Sequence, residues 1–126
     1  MRTSALLIFL FATAPALASD VSFEQAKSRA DRDEQSLSST QTHQLIASQA
    51  RAGGEAHSTC IASNPKPNLS PYTVVMQVDA SGNVVRTWLH GQSSLAICVN
   101  KELSHKTLFT PPRAPFFTSF EMTWQP

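Results

Sequence analysis

A chain of 126 residues, with ten Lys and Arg against nine Asp and Glu and a formal charge of +1, has room for one modest hydrophobic core. The near-neutral balance and the lack of a basic run exclude charge-driven recruitment of nucleic acid or of an anionic membrane surface. Two domains would be too many for this length.

Residues 1–18 read as a secretory signal peptide. Arg2 is the short positive region, Ala5 to Ala14 the apolar run, and Ala16 and Ala18 the small residues before the cleavage point. The run stops at Pro15, short of the ~20 apolar residues a membrane helix needs. Cleavage after Ala18 is therefore expected in preference to a retained signal anchor, with the product periplasmic or secreted. Arg2 leaves with this segment, which brings the formal charge of the remainder to zero. The remainder, 19–126, is read as one α+β domain: a helical segment 19–63, a linker 64–71 and a β-β-α-β unit 72–126.

From Ser22 to about Arg51 the chain is rich in Ala, Gln, Glu, Arg and Lys and free of Pro and Gly, which predicts helix. Ser22 with Gln25 forms a capping box and Val21 a hydrophobic staple at its start. The apolar positions Phe23, Ala26, Ala30, Leu37, Leu45 and Ile46 keep roughly to helical spacing but are sparse, so the helix packs weakly or breaks. The Ser- and Thr-rich stretch Ser36 to Thr42 is the first expected break, and Gly53 with Gly54 the second. A short helix carrying Cys60 and Ile61 is expected next, before Asn64, Pro65, Lys66 and Pro67 impose an extended linker. Asp31, Asp33 and Glu34, interleaved with Arg29 and Arg32, read as an ion-paired helix surface.

Beyond the linker the period changes to two. Tyr72, Val74, Met76 and Val78 alternate with Thr73, Val75, Gln77 and Asp79, which predicts a strand with one strongly apolar face. Asp79 to Asn83 form a turn with Gly82 in the left-handed conformation. A second strand, Val84 to His90, has an ambiguous phase that a β-bulge would reconcile. Ser93 or Ser94 caps a helix with Leu95, Cys98, Val99 and Leu103 along one stripe. Pro111 and Pro112 stop any helix, and a third strand follows from Phe116 to Trp124. A hairpin followed by a helical return makes 2-1-3 the economical order, with the third strand antiparallel to the first. The helix then covers the face built by Tyr72, Val74, Met76, Val78, Phe116, Phe120, Met122 and Trp124. The other face is either solvated or covered by the N-terminal helical segment.

Cys60 and Cys98 are the only two cysteines, and in an exported chain they are expected to pair. The loop they close stabilises by about 4 kcal/mol in the chain-entropy model. The rival reading, a metal site of His57, Cys60, Cys98 and His105, lacks the tight ligand pairs common in zinc sites. No metal or cofactor is expected.

The strand Tyr72-Thr-Val-Val-Met-Gln-Val-Asp79, the following Gly82-Asn83-Val84, the helix and the exit Leu108-Phe109-Thr110-Pro111-Pro112 resemble the C-terminal domain family of TonB and TolA. The resemblance covers about half the mature chain. It implies a non-enzymatic module that binds envelope proteins or peptide strands, in which an exposed edge strand accepts a strand of the partner. Without a lasting anchor or a long Pro-rich spacer, energy transduction across the envelope is not implied. The third strand, Phe116, Phe117, Thr118, Ser119, Phe120, Glu121, Met122, Thr123 and Trp124, has no internal Pro or Lys and is the expected docking edge, unless the N-terminal helices or a homodimer cover it. The alternative is a small secreted hydrolase or metal-dependent enzyme using His57 and His105, although neither lies in a recognised catalytic motif.

Overall fold

The computed structural model describes residues 20–124, so the signal-peptide reading of residues 1–18 lies outside the described residues. Six elements follow in order: α1 Phe23–Gln35, α2 Ser39–Ser63, β1 Tyr72–Val78, β2 Val84–His90, α3 Ser94–Leu103 and β3 Phe116–Met122. The sheet is antiparallel with order β2-β1-β3, so the fold is the expected mixed α+β arrangement. Among the described residues no helix is long and apolar enough to cross a membrane.

Local chemistry explains where the helices begin. The Ser22 hydroxyl accepts from the Gln25 amide while the Gln25 side chain accepts from the Ser22 amide, and Ser38 with Gln41 repeats the same box. Each box satisfies two backbone donors that a helix start leaves unpaired. The expected break therefore falls between Gln35 and Ser39. Ser93 caps α3 by accepting from the Ala96 amide.

The second expected break does not occur: α2 runs through Gly53 and Gly54 and carries Cys60 and Ile61 in its last turns. The reason is tertiary. A Cβ on Gly53 would stand 2.5 Å from Phe120 Cε2, so the missing side chain lets β3 approach the helix. That contact offsets the ~1 kcal/mol a helical glycine costs relative to alanine. Gly54 has nothing within 4 Å of a Cβ, and no contact accounts for it.

The N-terminal helices divide between the two faces of the sheet. On one face α2 and α3 enclose a core of Leu45, Ala52, Ala56, Cys60, Val74, Met76, Val78, Val99, Leu103 and Phe116, with Phe120, Met122 and Trp124 at its margin. Burying a side chain such as Phe116, which is 0% exposed, contributes about 2–3 kcal/mol. On the other face α1 lays Ala26 and Ala30 over Val75, Trp88 and Phe117. Both alanines are fully buried, and their small size lets the helix lie close to the strands. The Trp88 indole donates to the Val21 carbonyl at 2.7 Å, which ties the start of α1 to β2.

The ambiguity in β2 resolves as a bulge. Gln77 pairs with Arg86 but Val78 pairs with Val84, leaving Val85 as the extra residue. Val84 and Leu89 then join the α2–α3 core, while Trp88 faces α1. Gly82 closes the preceding turn at φ +85°, and a Cβ there would meet the Phe109 carbonyl at 2.5 Å. The third strand ends at Met122, two residues before the expected limit at Trp124.

Cys60 and Cys98 are bonded, with Cα atoms 5.9 Å apart, joining the last turns of α2 to α3. Both sulfurs are spent on each other, which removes the metal-site rival built on them. The bond fits an oxidising compartment.

Candidate functional site

The two edges of the sheet are the places where a guest strand would add, and they are treated differently. β3 pairs with β1 from Phe116 opposite Val78 to Met122 opposite Tyr72. In an antiparallel ladder the amide and carbonyl of successive residues point alternately toward and away from the neighbour. On β3 the outward amides are those of Phe117 and Ser119. The Phe117 amide donates to Asp33 Oδ2 at 2.9 Å and the Ser119 amide to Glu34 Oε1 at 2.8 Å. The Ser119 carbonyl accepts from Gln49 Nε2 at 3.1 Å, and Thr118 Oγ1 accepts from the same nitrogen while donating to Glu34 at 3.1 Å.

The expected docking edge is therefore occupied from Phe117 to Ser119 by side chains of α1 and α2. Glu121, the next outward residue, meets Lys27 at 3.2 Å. Phe116, Phe120, Met122 and Trp124 pack with the α2–α3 core and Phe117 packs under α1. Thr123 lies just past the strand.

The acidic residues of α1 were read from sequence as partners of Arg29 and Arg32, and this is corrected. Asp31 pairs with Lys27, Asp33 with Arg113 at 2.9 Å, and Glu34 with the β3 backbone. The Arg29 guanidinium lies over the Phe117 ring, 5.3 Å from its centroid. A sequence signal for the seal existed. Asp33 and Glu34 stand in the last turn of α1, where the helix dipole disfavours negative charge, so they need a compensating partner.

The outer edge of β2 was missed altogether. Since Thr73, Val75 and Gln77 of β1 pair with His90, Trp88 and Arg86, the same alternation turns the backbone groups of Thr87 and Leu89 outward, with Val85 beside them at the bulge. Among the described residues no loop or helix backbone bonds to these groups. Val85 is 56% exposed. The Arg86 guanidinium lies over the Trp88 ring, 4.5 Å from its centroid, with Asp20 at 3.9 Å.

Of the histidines proposed for catalysis, His57 is part-buried on α2 and both of its ring nitrogens are engaged. Nδ1 stands 2.7 Å from the Gly53 carbonyl, which can only accept, so Nδ1 carries a proton. Nε2 lies 2.6 Å from the Tyr72 hydroxyl. In the neutral ring the phenol donates to Nε2, and the pair clasps α2 to β1 beside Phe120 and Trp124. Burial pushes the Tyr72 phenol well above its ordinary range. His105 lies on the surface past the end of α3, without a hydrogen bond to His57. Among the described residues no three His, Cys, Asp or Glu gather where they would hold a metal ion.

Comparison with family models, curated proteins and solved structures found no match. The site must therefore be read from its own chemistry. Among the described residues the outward backbone groups of Thr87 and Leu89 on β2 have no backbone partner, whereas the start of that edge is covered by the Val84 amide donating to the Lys106 carbonyl at 3.0 Å. In the groove between α2 and Leu108–Thr110 two of the polar side chains bond within the chain. There Ser48 Oγ holds the Phe109 amide at 3.1 Å and Arg51 donates to the Thr107 carbonyl at 3.0 Å.

Tyr72 is the only tyrosine, so an ultraviolet titration reads it alone. A raised phenol pKa means that the folded state favours the neutral form. Its contribution is complete below the unfolded value of about 10 and is lost as pH rises through the folded value. Phenolate absorption is expected to appear only well above pH ~10 and together with unfolding. Reversible ionisation near pH ~10 in the folded protein would refute the clasp.

Proposed function

We propose that this chain is an exported, disulfide-locked protein-interaction module of the TonB and TolA C-terminal kind, which takes a strand of an envelope protein onto the outer edge of β2. The observation that carries the reading is the asymmetry of the sheet. Two carboxylates and an amide are committed to closing β3, while Thr87 and Leu89 are left with outward backbone groups. Backbone pairing would supply affinity, and the side chains flanking Thr87 would supply selectivity. The Cys60–Cys98 bond and the apolar run at the N-terminus support export to the periplasm or beyond.

Proline tests this directly, because at an outward-facing edge position it removes a guest-binding donor without breaking a ladder bond. Envelope extracts passed over immobilised wild type are expected to yield an identified partner, confirmed with its purified strand segment. Thr87→Pro is expected to weaken that binding at least tenfold, and Ile46→Ser, at an exposed site on α2, to leave it unchanged. Undiminished binding by a folded Thr87→Pro variant would exclude this edge.

A further inference from the structure

We propose that Arg86 is the residue by which the β2 edge selects its guest, and that the guest is a strand carrying an Asp or Glu opposite Trp88. This rests on the reading that the β2 edge accepts a strand, and it names the charge which that strand must bring.

The edge leaves room for a short guest only. The Val84 amide donates to the Lys106 carbonyl at 3.0 Å and the Leu108 amide to the Gly82 carbonyl at 2.8 Å, so the start of β2 is already covered by the chain that leaves α3. Val85 is the inserted residue of the bulge. What is left is the stretch centred on Trp88, where the backbone groups of Thr87 and Leu89 face outward. An antiparallel guest exchanges hydrogen bonds with Thr87 and with Leu89, and its residue between those two stands opposite Trp88 with about 4.5 Å between Cα atoms. Directly opposed residues share a face of the sheet, so that side chain joins Trp88 and Arg86 on the α1 side. Few backbone bonds form, so side chains decide which strand stays.

The α1 side holds a positioned cation. The Trp88 indole is fixed by its bond to the Val21 carbonyl at 2.7 Å, and the Arg86 guanidinium lies over the ring, 4.5 Å from its centroid. That contact draws the charge from the register position of Arg86 to that of Trp88, where the guest residue arrives. A guanidinium already held on an aromatic face loses little further freedom when it takes a carboxylate. Its ionic partner within the chain is a weak one: Asp20 stands 3.9 Å away with a fully exposed side chain, and the Arg86 side chain is itself 44% exposed. Arg86 is also the only Lys, Arg, Asp or Glu from Val84 to His90, so no charge on β2 opposes an acidic guest. A guest carboxylate therefore displaces Asp20 and can take both hydrogen bonds of the planar fork. A Lys or Arg at the same guest position is repelled.

Random peptides displayed on phage and selected on the immobilised exported protein supply the probe, and loss of binding to Thr87→Pro marks those held at this edge. Should Thr87→Pro fail to fold, protection of the Thr87 and Leu89 amides from hydrogen exchange on adding the synthetic peptide marks them instead. The edge binders are expected to share an Asp or Glu, and its replacement by Gln to weaken binding about fivefold, the upper end for an exposed ion pair. Arg86→Gln is expected to cost as much with the acidic peptide and nothing further with its Gln version, while Arg86→Lys restores part of the loss. Asp20→Asn is expected to strengthen binding of the acidic peptide, because it removes the carboxylate that competes for the guanidinium. A merely structural Arg86 and Asp20 pair would leave that binding unchanged or weaken it. Edge binders that lack an acidic residue, or that are indifferent to Arg86→Gln, overturn the inference and leave the proposed function standing. The absence of any edge binder removes the proposed function, and the inference with it.

Discussion

Replacing Cys60 and Cys98 together by alanine is expected to lower the thermal midpoint by roughly 15–20 °C, the largest single effect foreseen for this chain. The bond closes a loop with a sequence separation of 38. In the chain-entropy model a loop of that length stabilises by about 4 kcal/mol, and native bridges removed from small domains cost ~2–5 kcal/mol. That is a large fraction of the 5–15 kcal/mol that separates folded from unfolded domains, as an order of magnitude. The site of the bond amplifies the loss. Cys60 lies in the same core as Tyr72 and Val99, so releasing it frees the last turns of α2 from α3. Scanning calorimetry of the double variant, and of the wild type with reductant, measures the difference. A shift of less than about 5 °C would mean that packing alone holds α2 against α3.

Glu34→Ala is expected to destabilise the fold by about 2–3 kcal/mol and Glu34→Gln by about 1 kcal/mol. Glu34 Oε1 accepts from the Ser119 amide at 2.8 Å and from Thr118 Oγ1 at 3.1 Å, and Thr118 is 0% exposed. Alanine leaves both donors without a partner in a part-buried place, whereas glutamine keeps an acceptor oxygen and loses only the charge. Urea unfolding gives the two values, and hydrogen exchange locates them, since the Ser119 amide should lose protection first. Equal stability of wild type and Glu34→Ala would show that water replaces the carboxylate at no cost, and that the β3 edge is not held shut by it. A measured cost would also explain why β3, rich in aromatics and without Pro or Lys, does not invite other strands to its edge.

Much of the fold could be read before any coordinates. The alternation of Tyr72, Val74, Met76 and Val78 marks β1 and its core face, Ser22 with Gln25 marks the start of α1, and the two cysteines name their own bond. The order 2-1-3 follows from a hairpin and a helical return. These are local or pairwise rules, in which the residues that decide are also the residues described. The β2 bulge could be anticipated as a need, because the apolar residues do not keep a single phase.

The sequence by itself thus determined the three strands and their order, the starts of α1 and α3, and the covalent link. The tertiary structure alone decided which surfaces remain. Glycine pairs ordinarily end helices, yet α2 continues because Phe120, 67 positions along the chain, uses the space a Cβ at Gly53 would fill. Sparse apolar spacing in the N-terminal segment could not show that α1 and α2 would take opposite faces of the sheet. Asp33 and Glu34 look like surface charges in a helical pattern, and only their placement 84 and 85 residues from Phe117 and Ser119 turns them into the seal of β3. An edge is open or closed according to what the remainder of the chain lays beside it. That is a property of distance in space, so composition made β3 look permissive while packing left the opening at β2.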